Sequence, residues 1–267
     1  MGEAIVITSG KGGVGKTTTT ANIGTALALQ GKRVCLVDTD IGLRNLDVIL
    51  GLENRIIYDL VDVAHGRCKL HQAFVRDKRF DDLLYLLPAA QSSDKTAVNA
   101  DQMKTIVNDL KKEFDYVLID CPAGIEQGFQ NAIAGADQAI VVTTPEHSAV
   151  RDADRIIGLL EKETMEPPRL IINRIKTKMV KEGDMLDVND VTNILAIELL
   201  GIVADDDEVL KASYHGEPVV LNPHTVAGIA YRNIARRILG ESVPLQQLDV
   251  ESKGLFKRIK KFFGARV

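Results

Sequence analysis

Short β-branched apolar runs recur along the chain at residues 4–8, 33–38, 84–87, 116–120, 138–143, 169–173 and 200–204, and each reads as a strand. Runs such as Val117-Leu118-Ile119 and Ala139-Ile140-Val141-Val142 are apolar at every position rather than at alternate ones. Strands of that kind are covered on both faces, as happens when helices flank a parallel sheet. Between the runs lie segments suited to helix at 17–30, 101–113, 126–135, 149–163 and 224–239. The alternation of strand and helix predicts one doubly wound α/β domain over residues 1–240, with a mostly parallel sheet. Residues 241–252 break the pattern: they are polar, contain Pro244 and hold no sustained period, so they read as a linker.

The last fifteen residues regain a period. At about 100° per residue, Leu255, Phe256, Ile259, Phe262 and Phe263 fall within an arc of roughly 120°, with Lys257, Arg258, Lys260 and Lys261 outside it. That is the pattern of a helix lying in the interface of an anionic phospholipid membrane, and it predicts an amphipathic membrane-targeting helix over 253–267. Docking on the chain's own core, or in a protein groove, is the competing reading of the same face.

Charge sharpens this division. The 267 residues carry 33 Lys+Arg and 37 Asp+Glu, a net −4. Residues 253–267 hold six of the basic side chains and no acidic one, which leaves 27 basic against 37 acidic, or −10, in the rest. An acidic body gives little reason to seek nucleic acid, and no specific nucleic-acid partner is expected. With 45% hydrophobic and 26% charged residues the chain is neither disordered nor coiled coil. No apolar run approaches the roughly 18 residues a membrane span needs, and no leader pattern opens the chain. Cys35, Cys68 and Cys121 are widely spaced and form no CxxC pair. The expected location is cytoplasmic, peripheral on the inner face of the cell membrane.

The most specific chemical signal is Gly10-Lys11-Gly12-Gly13-Val14-Gly15-Lys16-Thr17, between a predicted strand and a predicted helix. It satisfies the P-loop pattern in its required context. The glycines allow backbone N–H groups to surround phosphate oxygens, and the following helix N-terminus adds a favourable dipole. Lys16 is expected on the β/γ-phosphates, the Thr17 hydroxyl on Mg²⁺, and Thr18 as a further phosphate donor. Lys11 is not required by the pattern, and a solvated loop lysine is its plain reading.

In α/β sheets, ligands bind beyond the carboxyl ends of the strands. Two apolar runs end there in acid, one in Asp38-Thr39-Asp40 and one in Asp120. Asp120 is expected to hold Mg²⁺ directly or through water, Asp38 to serve the metal's outer shell, and Asp40 to orient an attacking water. Asp38 and Asp40 share a side-chain direction only if the strand continues through both. Asp120 could instead cap a helix, and His147, near a strand end, reads as a surface-loop histidine.

The segment from Lys11 to Thr17 resembles the deviant Walker A box of the ParA/MinD ATPase family, whose extra lysine reaches across a dimer interface to the partner's nucleotide. Asp38 to Gly42, followed by Asn45-Leu46-Asp47, is similar to that family's switch I, and Asp120 to Gly124 to its switch II. The resemblance covers residues 1 to about 240 and implies a P-loop NTPase fold, an ATP- and Mg²⁺-dependent ATPase, and a homodimer formed with ATP. It places Glu146 and Asp152 near the dimer or partner interface, Glu146 also beside the nucleotide, and Asn173 on adenine. The amphipathic tail resembles that of the family's cell-division branch. That branch implies a MinC-type division inhibitor, a MinE-type activator or a topological anchor, and control of septum placement. A ParA-like DNA-segregation ATPase and a flagellar-number regulator are the alternatives within the family. Cluster-carrying relatives bridge iron–sulfur groups through cysteines, and Cys121 has no second cysteine at a ligand spacing.

Overall fold

A computed structural model describes residues 1–94, 96–163 and 166–246. In chain order these form β1 (Glu3–Thr8), α1 (Lys16–Leu29), β2 (Val34–Asp38), α2 (Leu46–Leu50), α3 (Leu60–Ala64), β3 (Val75–Arg76), β4 (Leu84–Leu87) and α4 (Ala100–Glu113). They continue as β5 (Tyr116–Asp120), α5 (Gln127–Ile133), β6 (Gln138–Thr143), α6 (His147–Leu160), β7 (Arg169–Ile175), α7 (Thr177–Glu182), α8 (Val188–Leu195), β8 (Glu198–Ala204), α9 (Asp207–Tyr214) and α10 (Val226–Ile238). The predicted membrane residues Leu255 to Phe263 lie outside the described residues.

The eight strands form one sheet in the order β3-β4-β2-β5-β1-β6-β7-β8. Every pairing is parallel except β3 with β4. Helices cover both faces, which is why the central runs are apolar throughout. In β1, Ala4 and Val6 join one core layer while Ile5 and Ile7 join the other; in β5, Val117 and Ile119 oppose Leu118 in the same way. At about 25 cal/mol per Å² of apolar surface removed from water, burial on both faces of the strands contributes strongly to stability.

Helix ends follow local chemistry. The last helix begins at Val226 rather than at 224, because the Thr225 hydroxyl caps it by accepting from the Gly228 N–H at 3.1 Å. Helix α6 begins earlier than expected, so His147 is its exposed first residue and not part of a loop. Strand β7 runs on to Ile175 through an irregularity after Ile172, and Arg174 within it takes φ 56°. Residues 241–246 have no regular secondary structure. Arg237 nevertheless holds their path, donating from Nε to the Val243 carbonyl at 2.9 Å and from Nη2 to the Pro244 carbonyl at 2.6 Å.

Candidate nucleotide site

The carboxyl ends of β1, β2 and β5 converge on one crevice, with β1 lying between β5 and β6. The loop leaving β1 turns into α1 at Gly15, which has φ 93°, and no side chain caps this fourteen-residue helix. Its first N–H groups are therefore free of a side-chain acceptor. A side chain at Gly15 would collide with Asn173 Nδ2 at 2.3 Å, besides needing a left-handed backbone. Gly10 is constrained from the other side: a Cβ there would meet the Asp152 carbonyl oxygen at 2.1 Å. The loop is thus clamped between β7 and α6, while Gly12 and Gly13 leave its centre open. A cradle of N–H groups with an open centre fits an anionic phosphate chain.

Asp38 and Asp120 end neighbouring strands and are paired in register. Both are buried, at 1% exposure. Burial, and then the charge of Asp120, push the Asp38 carboxyl up to about 8. Burial likewise raises Asp120, against the opposing pull of Lys16 and of hydrogen bonds from Thr17 and Thr20. Two adjacent buried carboxylates resist ionising together, and a bound cation relieves that repulsion. Mg²⁺ keeps several waters and needs only one or two protein oxygens besides phosphate. Thr17, Asp38 and Asp120 fit that requirement. The described residues contain no group of three or more His, Cys, Asp and Glu side chains able to hold a metal by themselves.

Strand β2 stops at Asp38, so the shared direction of Asp38 and Asp40 does not hold. Asp38 turns back on the following loop, its Oδ1 accepting from the Asp40 N–H at 2.9 Å and its Oδ2 from the Leu46 N–H at 3.3 Å. Asp40 is half-buried at the edge of the site, whereas Asp38 is enclosed. Thr39 fastens this turn to β5, donating from Oγ1 to the Asp120 carbonyl at 2.6 Å. Asp120 is no helix cap: its Oδ1 accepts from the Thr20 hydroxyl at 3.1 Å.

Lys16 is buried and Thr17 and Thr18 are half-buried at the start of α1. Lys11 is not a freely solvated lysine. Its Nζ donates to Glu146 Oε2 at 3.2 Å and to Ser148 Oγ at 3.1 Å. Asp152, one turn further along α6, meets the loop through its backbone at Gly10. Asn173 is buried, donating from Nδ2 to the Val14 carbonyl at 2.8 Å and accepting at Oδ1 from the Arg174 N–H. It lines a cavity of about 260 Å³ beside Gly15 and Thr18, with Arg174, Asp206 and Tyr231 on the other walls. Ser148, Thr20 and Tyr231 carried no motif of their own. Cys121 is fully buried and its thiol is pushed up to about 12, chiefly by burial.

Residues 5–219 match the family model described as the CobQ/CobB/MinD/ParA nucleotide binding domain. The chain belongs to the ParA/MinD family. Its P-loop NTPase fold is that of the family's MinD members. It is 73% identical to the septum site-determining protein MinD of Bacillus subtilis (strain 168), over 100% of both chains. Among solved structures it is similar to the MinC:MinD cell division protein complex of Aquifex aeolicus, with TM-score 0.86 and 51% identity over 92% of this chain and 98% of that one. It is also similar to the septum site-determining protein MinD of Pyrococcus horikoshii OT3 complexed with Mg-ADP, with TM-score 0.81 and 29% identity over 89% and 96%. The loop, the Asp38–Asp120 pair and Asn173 all fall within the residues that match this nucleotide binding domain.

Proposed function

We propose that this ParA/MinD chain is a Mg²⁺-dependent ATPase that acts as a switch in placing the division septum. The convergence of the uncapped α1 N-terminus, Thr17 and the Asp38–Asp120 pair on one crevice is the observation that carries the reading. The loop N–H groups and Lys16 would hold the phosphates, and Thr17, Asp38 and Asp120 would hold Mg²⁺. Bound Mg²⁺ supplies neutralisation of charge developing on the phosphate oxygens. Asp40, at the rim, is suited to orient a water for in-line attack, and such positioning suffices in phosphoryl transfer.

In this reading ATP joins two copies face to face, and Lys11 leaves Glu146 and Ser148 to reach the second copy's nucleotide. The ion pair it gives up is 40% and 53% exposed, so its loss costs under about 1 kcal/mol. Residues 241–252 serve as linker, and 253–267 as a helix that binds anionic phospholipid at the inner face of the cell membrane. Each basic residue there contributes on the order of 1 kcal/mol, so one tail binds weakly while two joined tails gain roughly 10²- to 10⁴-fold in avidity. ATP thereby governs attachment and hydrolysis ends it. A MinC-type inhibitor is the expected cargo, supported by the likeness to the MinC:MinD complex. A MinE-type activator or a topological anchor would set its position.

Phosphate release from ATP by the purified full chain tests the enzymatic part. Turnover that requires Mg²⁺ and vanishes in Lys16→Ala is expected. Binding of ATP without any hydrolysis, with or without vesicles, would leave only a nucleotide-binding scaffold.

A further inference from the structure

A groove on the β8 side of the sheet stands apart from the nucleotide site. It has a volume of about 260 Å³ and is walled by Ile175, Val180, Val188 and Ile202, with Asp187 and Gln246 at its borders. Ile175 and Ile202 belong to the buried core, and Val180 and Val188 pack against it, so the groove is an opening into the apolar layer. Apolar surface left open in this way favours an apolar occupant.

Three observations identify the occupant. The described chain ends in the groove: Gln246 is its last described residue and forms part of the wall. The approach is fixed, because Arg237 grips the Val243 and Pro244 carbonyls while donating from Nη1 to the Leu200 carbonyl of β8 at 3.0 Å. Gln246 Oε1 is also buried without a hydrogen-bond partner among the described residues, so a donor from further along the chain would complete it. The charges agree as well. The single charged side chain lining the groove, Asp187, is acidic, and residues 253–267 carry six basic side chains and no acidic one.

We infer that, in the single chain, residues 253–267 dock by their apolar face in the groove between α7, α8 and the β7–β8 edge. Leu255 lies nine positions beyond Gln246, a reach of up to roughly 30 Å, which is ample. A tether of that length gives an effective concentration of about millimolar, so even a weak groove is occupied. The face that binds the groove is the face that binds lipid, and the two compete. Attachment of a single chain is thereby suppressed beyond the weakness of one tail. This inference rests on reading 253–267 as an amphipathic membrane helix, and the experiment separates the two.

The chain has no Trp, so Phe262→Trp creates a single reporter in the full-length protein. Without nucleotide or lipid, its acrylamide quenching should be several-fold lower than that of a free peptide of residues 247–267 with the same substitution. Val188→Asp, in the groove wall, should restore quenching to the peptide's level and raise vesicle binding without nucleotide. Asn189→Lys, on the exposed rim where refolding is not at risk, should act in the same direction. Quenching equal to the peptide's, together with ATP-dependent vesicle binding, would overturn the docking and leave the membrane reading intact. Protection that is unmoved by both groove variants, or that grows with protein concentration, would also overturn it. Protection relieved by both variants, with no vesicle binding in any state, would support docking and remove the membrane reading.

Discussion

Lys11 and Glu146 lie 135 positions apart in sequence and meet at 3.2 Å, so the second lysine of the phosphate loop is held by its own chain at the start of α6. Ser148 takes a second Nζ hydrogen bond at 3.1 Å. Both contacts are partly exposed, and the lysine can be withdrawn at little cost. Lys11→Ala should therefore leave nucleotide affinity nearly unchanged while lowering turnover roughly 10³-fold, the scale of a cation supplied in trans. Glu146→Ala removes only the tether and should keep turnover within a few-fold of the parent. Fluorescent-nucleotide titration and phosphate release measure the two effects. Normal turnover by Lys11→Ala would remove its assignment.

Asp40 sits at the rim while Asp38 is enclosed, and the two should separate in function. Asp40→Ala is expected to bind ATP and to lose hydrolysis by roughly 10²- to 10⁴-fold. Asp38→Ala is expected to weaken Mg²⁺-dependent nucleotide binding itself. Titration of nucleotide with and without Mg²⁺ checks this; equal behaviour of the two variants would contradict the assignment.

Asp38 also sets a pH dependence. An unfolded Asp titrates near 3.8, whereas burial and Asp120 raise the folded Asp38 to about 8. Between these values the folded protein binds more protons than the unfolded one, so stability falls as pH rises. This contribution is fully present below about pH 4 and is lost as pH passes through about 8. In EDTA, the thermal midpoint should fall between pH 5 and pH 8, and Asp38→Asn should flatten that part of the slope. An unchanged slope in Asp38→Asn would contradict the shift.

Asn173 is a clamp on the loop as well as a wall of the cavity, since its amide bonds to Val14 and the Arg174 backbone. Removing a buried group with two such bonds costs about 1–3 kcal/mol. Asn173→Ala should weaken ATP and GTP binding alike. If it instead lowers only the affinity for ATP, adenine recognition is its main role.

How far the sequence could be read follows from what each residue depends on. Strands β5 and β6 were legible because burial on both faces leaves an unbroken apolar run. Helix α1 was placed at 17–30 although it has little amphipathic period, since every residue from Thr19 to Ala28 is buried. The short elements α2, α3, α7, α8 and α9 and the two-residue β3 went unread, because five to eight residues span too few turns to establish a period. Asp38 and Asp120 were legible as acids ending apolar runs. The turn between Asp38 and Asp40 was not, because it is set by hydrogen bonds from Asp40 and Leu46 that no spacing encodes. Ser148 and Tyr231 come to the phosphate loop and α1 only through contacts between distant parts of the chain, with Lys11 and Thr19 respectively.

In the proposed switch, nucleotide state governs membrane attachment. Sedimentation of the full chain with anionic vesicles, in Mg-ATP, in Mg-ADP and without nucleotide, tests it directly, with duplex DNA as a competitor and a chain lacking 253–267 as a control. Sedimentation in Mg-ATP alone, unaffected by DNA and abolished by the truncation, is the predicted result. Equal sedimentation in all three states, or displacement from vesicles by DNA, would contradict the account.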